Sequence, residues 1–216
     1  MTQSKGLFIL IAGANASGKS TVIKPKYVKG RVKHYADPDR IALDDHDFPI
    51  TEKDILSEEA REALVANKPD KFAIKCVDDW LRSEHHRVAG IATESNLVSI
   101  RDFRKFREAK QHSMKTELYF VGLPLQTAKD RELKRVANGE QDKIDHEELQ
   151  RRYKKGLHKI QEYMRSGNVD IIMIYDNSHA KGEEQLLVHI EDSKLVYVHS
   201  GLPEWFTLTN IEIPKT

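Results

Sequence analysis

Among 216 residues there is one cysteine, Cys76. No internal disulfide can form, so a reducing compartment is the default. Set among Phe72, Ala73, Ile74 and Val77, this thiol reads as a small buried hydrophobe rather than a nucleophile. No apolar run approaches the roughly 20 residues that a membrane-spanning helix needs. An excess of either charge is missing too: 35 Lys and Arg against 34 Asp and Glu leave a formal net charge of +1. Such a chain has no strong field to gather nucleic acid or an anionic membrane. It contains no G-x-S-x-G, H-E-x-x-H or C-x-x-C, the usual signals of serine-hydrolase, zinc-protease and thiol-redox chemistry. Internal repeats and low-complexity tracts are absent. The expectation is a soluble, cytoplasmic protein, and 39% hydrophobic residues supply enough material for the core of one generous domain.

Strands and helices alternate along the chain, which argues for an α/β architecture with a mainly parallel sheet. Strands are expected over 7–12, 32–36, 90–93, 116–121 and 169–175. Helical patterns run over 51–66, 69–87 and 100–111. The highly charged stretch 127–165 is also helical, with a break near Asn138-Gly139. Two strand-like runs over 185–198, joined at Asp192-Ser193, predict a terminal β-hairpin. The expected organisation is a three-layer domain over 1–180 with a five-stranded sheet, a lid-like helical region over 127–165, and a hairpin appendage over 181–216.

Lys5, the apolar run Leu7–Ala12 and Ala14-Asn-Ala16 imitate a short secretory signal with a cleavage site. Cleavage after Ala16 would cut through the most informative motif in the chain. That motif is Gly13-Ala14-Asn15-Ala16-Ser17-Gly18-Lys19-Ser20, a complete G-x-x-x-x-G-K-[ST] phosphate loop, followed by Thr21. Its glycines let successive backbone N–H groups converge on phosphate oxygens, and the helix that follows adds partial positive charge. Lys19 is placed to reach the β- and γ-phosphates of ATP, and the Ser20 hydroxyl to ligate Mg²⁺. The motif follows an apolar strand and opens a helix, the context it requires.

Two decoys fall away. Asn67-Lys-Pro-Asp70 has the form of a guanine-specificity motif, but it separates two helices early in the chain and no D-x-x-G accompanies it; a helix C-cap followed by a proline-started helix is the better reading. The L-S-G-G-Q signature of transport ATPases is also absent. Asp44-Asp-His-Asp47 reads as a solvated loop, and His85-His86 as a favourable helix end.

Phosphoryl transfer needs carboxylates facing the acceptor and cations on the transferring oxygens. Asp37-Pro-Asp39-Arg40 closes the second strand and Glu94-Ser-Asn96 closes the third, which places acidic side chains at the carboxyl edge of the sheet, where ligands of open α/β sheets bind. Arg131, Arg135, Arg151 and Arg152 lie in the charged helical stretch. Each of these residues has an ordinary alternative as a strand-end cap or a solvated helix face.

Taken in order, Ala12–Thr21, Tyr35–Ala42, Thr93–Leu97, Arg131–Val136, Leu149–Tyr153 and Tyr175–Ser178 resemble the zeta-toxin-like P-loop kinases, and more closely their stand-alone bacterial relatives. The resemblance covers about residues 6–178. It implies an ATP-dependent kinase in which Asp39 is the base, Glu94 and Asn96 contact acceptor or metal, and Arg135 acts from a lid, with Arg131 and Arg152 matched less closely. Toxins of this family phosphorylate UDP-N-acetylglucosamine, so a nucleotide sugar or another hydroxyl-bearing small molecule is the expected acceptor. Two departures stand out: Asn138-Gly-Glu-Gln-Asp142 replaces a G-G-H segment, and Glu-Ser-Asn replaces Glu-Thr-Thr. Two other expectations remain open: a non-catalytic nucleotide sensor, and a toxin-like protein governed by a protein partner.

Overall fold

A computed structural model describes residues 6–38, 47–139, 144–179, 182–207 and 213. Among the described residues, seven strands form one sheet in the order β2-β3-β1-β4-β5-β6-β7. They are β1 Leu7–Gly13, β2 His34–Ala36, β3 Ile91–Ser95, β4 Lys115–Gly122, β5 Ile171–Asp176, β6 Gln185–Glu191 and β7 Lys194–Val198. The first five are parallel and the last two antiparallel.

β1 lies in the middle of the five parallel strands, between β3 and β4, and is apolar on both faces, as a strand buried between helical layers must be. Phe8, Leu10 and Ala12 point into one hydrophobic cluster, and Ile9 and Ile11 into another on the opposite face. The first cluster is the larger. It takes in α2 Glu58–Val65, α3 Pro69–Arg82, α5 Ile100–Gln111 and α7 His146–Arg165, through residues such as Phe72, Trp80, Phe106 and Tyr163. The second cluster is covered by α1 Lys19–Ile23 and the π-helical turn Lys24–Val28. The remaining helices are α4 Glu84–Ala89, α6 Leu125–Ala137 and α8 Glu204–Thr207.

Three sequence expectations change. The sheet has seven strands rather than five, because β6 pairs with β5 and continues the sheet into the terminal hairpin. The helix expected over 69–87 breaks at Ser83, which is extended (φ −92°, ψ 119°) and separates α3 from α4. Thr51 does form a capping box with Asp54, but the turn it caps is a single 3₁₀ turn, Glu52–Asp54. The α-helix starts later, where the Ser57 hydroxyl accepts from the Ala60 N–H.

Two local readings hold. The β6–β7 connection is Asp192-Ser193 with both φ values positive, 47° and 64°, the geometry of a tight two-residue hairpin. Asn67 ends α2 with φ 51°, and the following Lys68 N–H returns to Ala63 O at 2.9 Å, as a helix C-cap does.

Candidate functional site

The phosphate loop leaves β1 at the carboxyl edge of the sheet. Ser17 N–H closes a turn on Ala14 O at 3.1 Å, and Ala16 sits in the left-handed region at φ 59°. Gly18, at φ 91°, passes so close to Asn177 that a Cβ there would stand 2.3 Å from Asn177 Nδ2. Only glycine allows that approach. Asn177 follows β5 and donates to Ser17 O at 2.8 Å, fastening the loop to a distant strand. The side-chain oxygens Asn15 Oδ1 and Ser17 Oγ are buried and have no hydrogen-bond partner among the described residues.

Lys19 is buried, and its ammonium donates to Gly13 O (3.1 Å), Ala14 O (3.2 Å) and Asn96 Oδ1 (3.3 Å). The lysine is folded across its own loop, with its three N–H groups on neutral oxygens that phosphate oxygens would outcompete. Ser20 is half-buried in the first turn of α1, and Thr21 beside it is exposed. The set suits an Mg·nucleotide: a positive point charge, a backbone cradle that excludes a Cβ at Gly18, and hydroxyl and carboxylate oxygens, the donors a hard cation prefers.

Of the residues expected to face an acceptor, Glu94 and Asn96 lie beside Lys19. Glu94 is the penultimate residue of β3, level with Ile11 of β1, is only 5% exposed, and takes a hydrogen bond from Tyr35 OH. Thr93 Oγ1 ties β3 to Ala36 O at 2.8 Å, just before Asp37. The turn after β3 is held by Ser95, whose hydroxyl donates to Asp102 Oδ2 (2.6 Å) and accepts from the Leu97 N–H (2.9 Å). On the other side of this turn the helix α7 comes in at Gly156, where a Cβ would stand 2.8 Å from Asn96 O.

Lys19, Glu94 and Asn96 line one cavity of about 250 Å³ with Asp102, Lys105 and Arg101 of α5. Asp102 and Lys105 are almost fully buried. Burial raises the Asp102 carboxyl above its ordinary range and lowers the Lys105 ammonium, each partly countered by the other's charge. Two buried, opposite charges thus stand on one wall of a cavity next to the phosphate loop. A larger cleft of about 610 Å³ lies between α7 and α8, around Tyr153, Leu157 and Trp205, and contains no residue of the phosphate loop.

The arginines are placed differently. Arg131 and Arg135 lie one turn apart on α6, and Arg131 leans weakly on His179 O at 3.5 Å. Arg152 donates to Glu148 at 2.7 Å, sharing that carboxylate with Arg151. None of the three lines the cavity at Lys19. Asp39 and Arg40 lie outside the described residues, as do positions 140–143 of the departing segment. Sequence reasoning gave no role to Tyr35 and Asn177, which stood only within longer matched segments, or to Asp102 and Lys105. The last two carried a signal, a carboxylate and an ammonium three residues apart on one helix face, but such pairs are usually solvated.

No family model matches the chain, and no curated protein matches its sequence. Solved structures do. Two structures of the AvrRxo1-ORF1:AvrRxo1-ORF2 complex, one with sulphate ions and one with ATP, match 98% of this chain at 14% identity, with TM-scores of 0.63 and 0.64. This chain spans 66% of the length of the matched chain in each. The likeness is one of fold, an α/β architecture built around a seven-stranded mixed sheet. A structure of the PezAT chromosomal toxin–antitoxin system of Streptococcus pneumoniae matches 85% of this chain and 73% of its own at 16% identity, with a TM-score of 0.51. Among the described residues, no helix is long and apolar enough to cross a membrane.

Proposed function

We propose that this chain is an ATP-dependent kinase that transfers the γ-phosphate to a hydroxyl of a small polar acceptor held in the cavity beside Lys19. The observation that carries this reading is the bond from the Lys19 ammonium to Asn96 Oδ1, alongside its bonds to Gly13 O and Ala14 O. One cation thereby touches both the phosphate loop and the turn that walls the acceptor cavity. A bare nucleotide-binding module has no need of that junction, nor of a buried Glu94 beside it.

The roles follow from position. The loop Gly13–Ser20 cradles the triphosphate, Ser20 ligates Mg²⁺, and Lys19 turns from its carbonyls to the β- and γ-oxygens. Magnesium supplies charge neutralisation on the leaving diphosphate. Asp39, two residues after Asp37 in the sequence, takes the proton of the acceptor hydroxyl as the hydroxyl oxygen bonds to the γ-phosphorus and the bridging bond to ADP breaks. Glu94 and Asn96 hold the acceptor, and Asp102, Lys105 and Arg101 recognise its polar groups at the far wall. Arg135, with Arg131 or Arg152, is assigned to the transferring phosphoryl group, which requires these helices to bring cations closer than they stand here. UDP-N-acetylglucosamine is the first acceptor to test.

A second reading has its own support: the matched structures include complexes and a toxin–antitoxin system, so a protein partner that governs the activity is proposed as well. The deciding experiment incubates the protein with Mg·ATP and a metabolite extract and searches by mass spectrometry for a species one phosphoryl group heavier, with Lys19→Ala as control. A small-molecule product absent from the control supports the kinase; ATP binding without any product across the extract favours a sensor. Products confined to nucleic-acid ends or protein side chains sink the small-acceptor assignment.

A further inference from the structure

Away from the phosphate loop, three ligand-bearing side chains converge. His34 opens β2, Asp54 closes the 3₁₀ turn, and His86 lies in α4. Asp54 Oδ1 is 3.6 Å from His34 Nδ1 and 3.4 Å from His86 Nε2, and one ligand atom from each residue lies within 4.8 Å of the others. Ordinary N–H···O bonds are shorter, about 2.7–3.2 Å. A tetrahedral Zn²⁺ site with bonds of about 2.0–2.1 Å has ligand–ligand edges of about 3.3 Å. Two edges are therefore almost at their metal-bound length.

The surroundings leave the right atoms free. His86 is 5% exposed, and its Nε2 is buried with no hydrogen-bond partner among the described residues. Its other nitrogen, Nδ1, is 2.8 Å from Ser83 Oγ; an Nδ1–H donated there leaves the Nε2 lone pair pointing outward from the ring as a ligand. Asp54 spends Oδ2 on the N–H and hydroxyl of Thr51, at 2.9 and 2.6 Å, and keeps Oδ1 for the cluster. The imidazoles are held by ring packing. His34 and His86 stand 4.5 Å apart by centroid, the Trp80 indole lies parallel to His86, and Trp80 Nε1 donates to Asp54 O at 2.8 Å.

We propose that His34, Asp54 and His86 form a divalent-metal site of the zinc class, with a water completing four-coordination. It would lie at the end of β2 remote from Asp37 and separate from the Mg·ATP site. Its ligands flank the segment 35–53, which contains the acceptor-side turn, so the ion would clip together the two ends of that segment. This inference does not rest on the kinase reading.

The test uses the full chain after chelator treatment, titrated with ZnCl₂ by calorimetry and, separately, with CoCl₂ by visible absorption. One equivalent of Zn²⁺ should bind at micromolar or tighter Kd, raise the Tm reversibly with EDTA, and give Co²⁺ bands of a tetrahedral nitrogen–oxygen site. Asp54→Asn and His86→Gln should each weaken Zn²⁺ at least tenfold without changing Mg·ATP affinity, whereas His112→Gln on the surface should change neither. Absence of Zn²⁺ binding and of Co²⁺ bands in the unmodified protein overturns the proposal, whatever the variants do. Binding that survives intact in both variants overturns it equally, by placing the ion elsewhere.

Discussion

Asn177 and Ser17 are 160 positions apart, yet the carboxamide of one donates to the carbonyl of the other at 2.8 Å. The phosphate loop is thus held from outside, by the residue that follows β5, as well as by its own turns. Asn177→Ala removes a buried bond worth about 1 kcal/mol. ATP affinity is expected to fall about fivefold with a Tm loss of a few degrees, read by calorimetry and thermal melts. An unchanged Kd would show that the loop holds its shape unaided.

Asn96 offers a sharper handle on Lys19. Replacing Asn96 with Ala frees the ammonium and should alter ATP binding less than twofold. Asn96→Asp instead places a carboxylate against Lys19, where it competes with the triphosphate and repels it. ATP affinity should fall at least tenfold further than in the alanine variant, and high salt should narrow the gap. Equal affinities for the two variants would separate Asn96 from the phosphate site.

Transfer and binding should come apart at the acceptor side. Asp39→Asn and Glu94→Gln are expected to keep nucleotide affinity within about threefold while lowering kcat on an identified acceptor by about 10²-fold or more. Lys19→Ala should lose turnover altogether. Wild-type kcat in Asp39→Asn would remove that residue as the base.

Cys76 provides an internal reporter. Burial first, and then the charges of Asp79 and Asp54, push its thiol up to about 12. At pH 8 the native protein should leave a thiol reagent unreacted for hours, while denaturant releases one thiol per chain. Rapid reaction of the native protein would mean that α3 opens locally.

The acid limb of stability should carry a contribution from Asp170. Burial alone would raise its carboxyl, but bonds from Lys110 and from the Thr116 N–H and hydroxyl outweigh that and hold it below its ordinary 3.8. A depressed folded-state value means stability present above pH 4 and lost as pH falls through the lower value. Asp170→Asn should cost about 1–2 kcal/mol at pH 7 and shrink the loss on acidification. A denaturation series from pH 7 to pH 3 checks both.

The phosphate loop and the parallel sheet were legible because each writes its signal locally: a fixed glycine–lysine spacing, and apolar runs bounded by turns. Ser83 was not. Its break between α3 and α4 depends on packing that the apolar periodicity through Trp80 and Leu81 does not reveal, although Ser83 and His86 three residues on were in plain view. Thr51 was read as the cap of a long helix because a capping box looks the same whether one turn follows it or four. Glu94 and Asn96 could be placed at the edge of the sheet, being strand-end residues. Asn177 and the buried Asp102–Lys105 pair owe their positions to tertiary contacts, so sequence alone treated them as a strand-end segment and a basic helix.

At Gly156, backbone meets backbone: the helix α7 touches the turn bearing Asn96 with no side chain between them. Side chains normally act as upholstery, absorbing small rotations by changing rotamer. At Gly156 there is none, so α7 and the turn that carries Asn96 meet without that cushion. A tilt of that helix would therefore press directly on the backbone of Asn96, whose side chain holds the Lys19 ammonium at 3.3 Å.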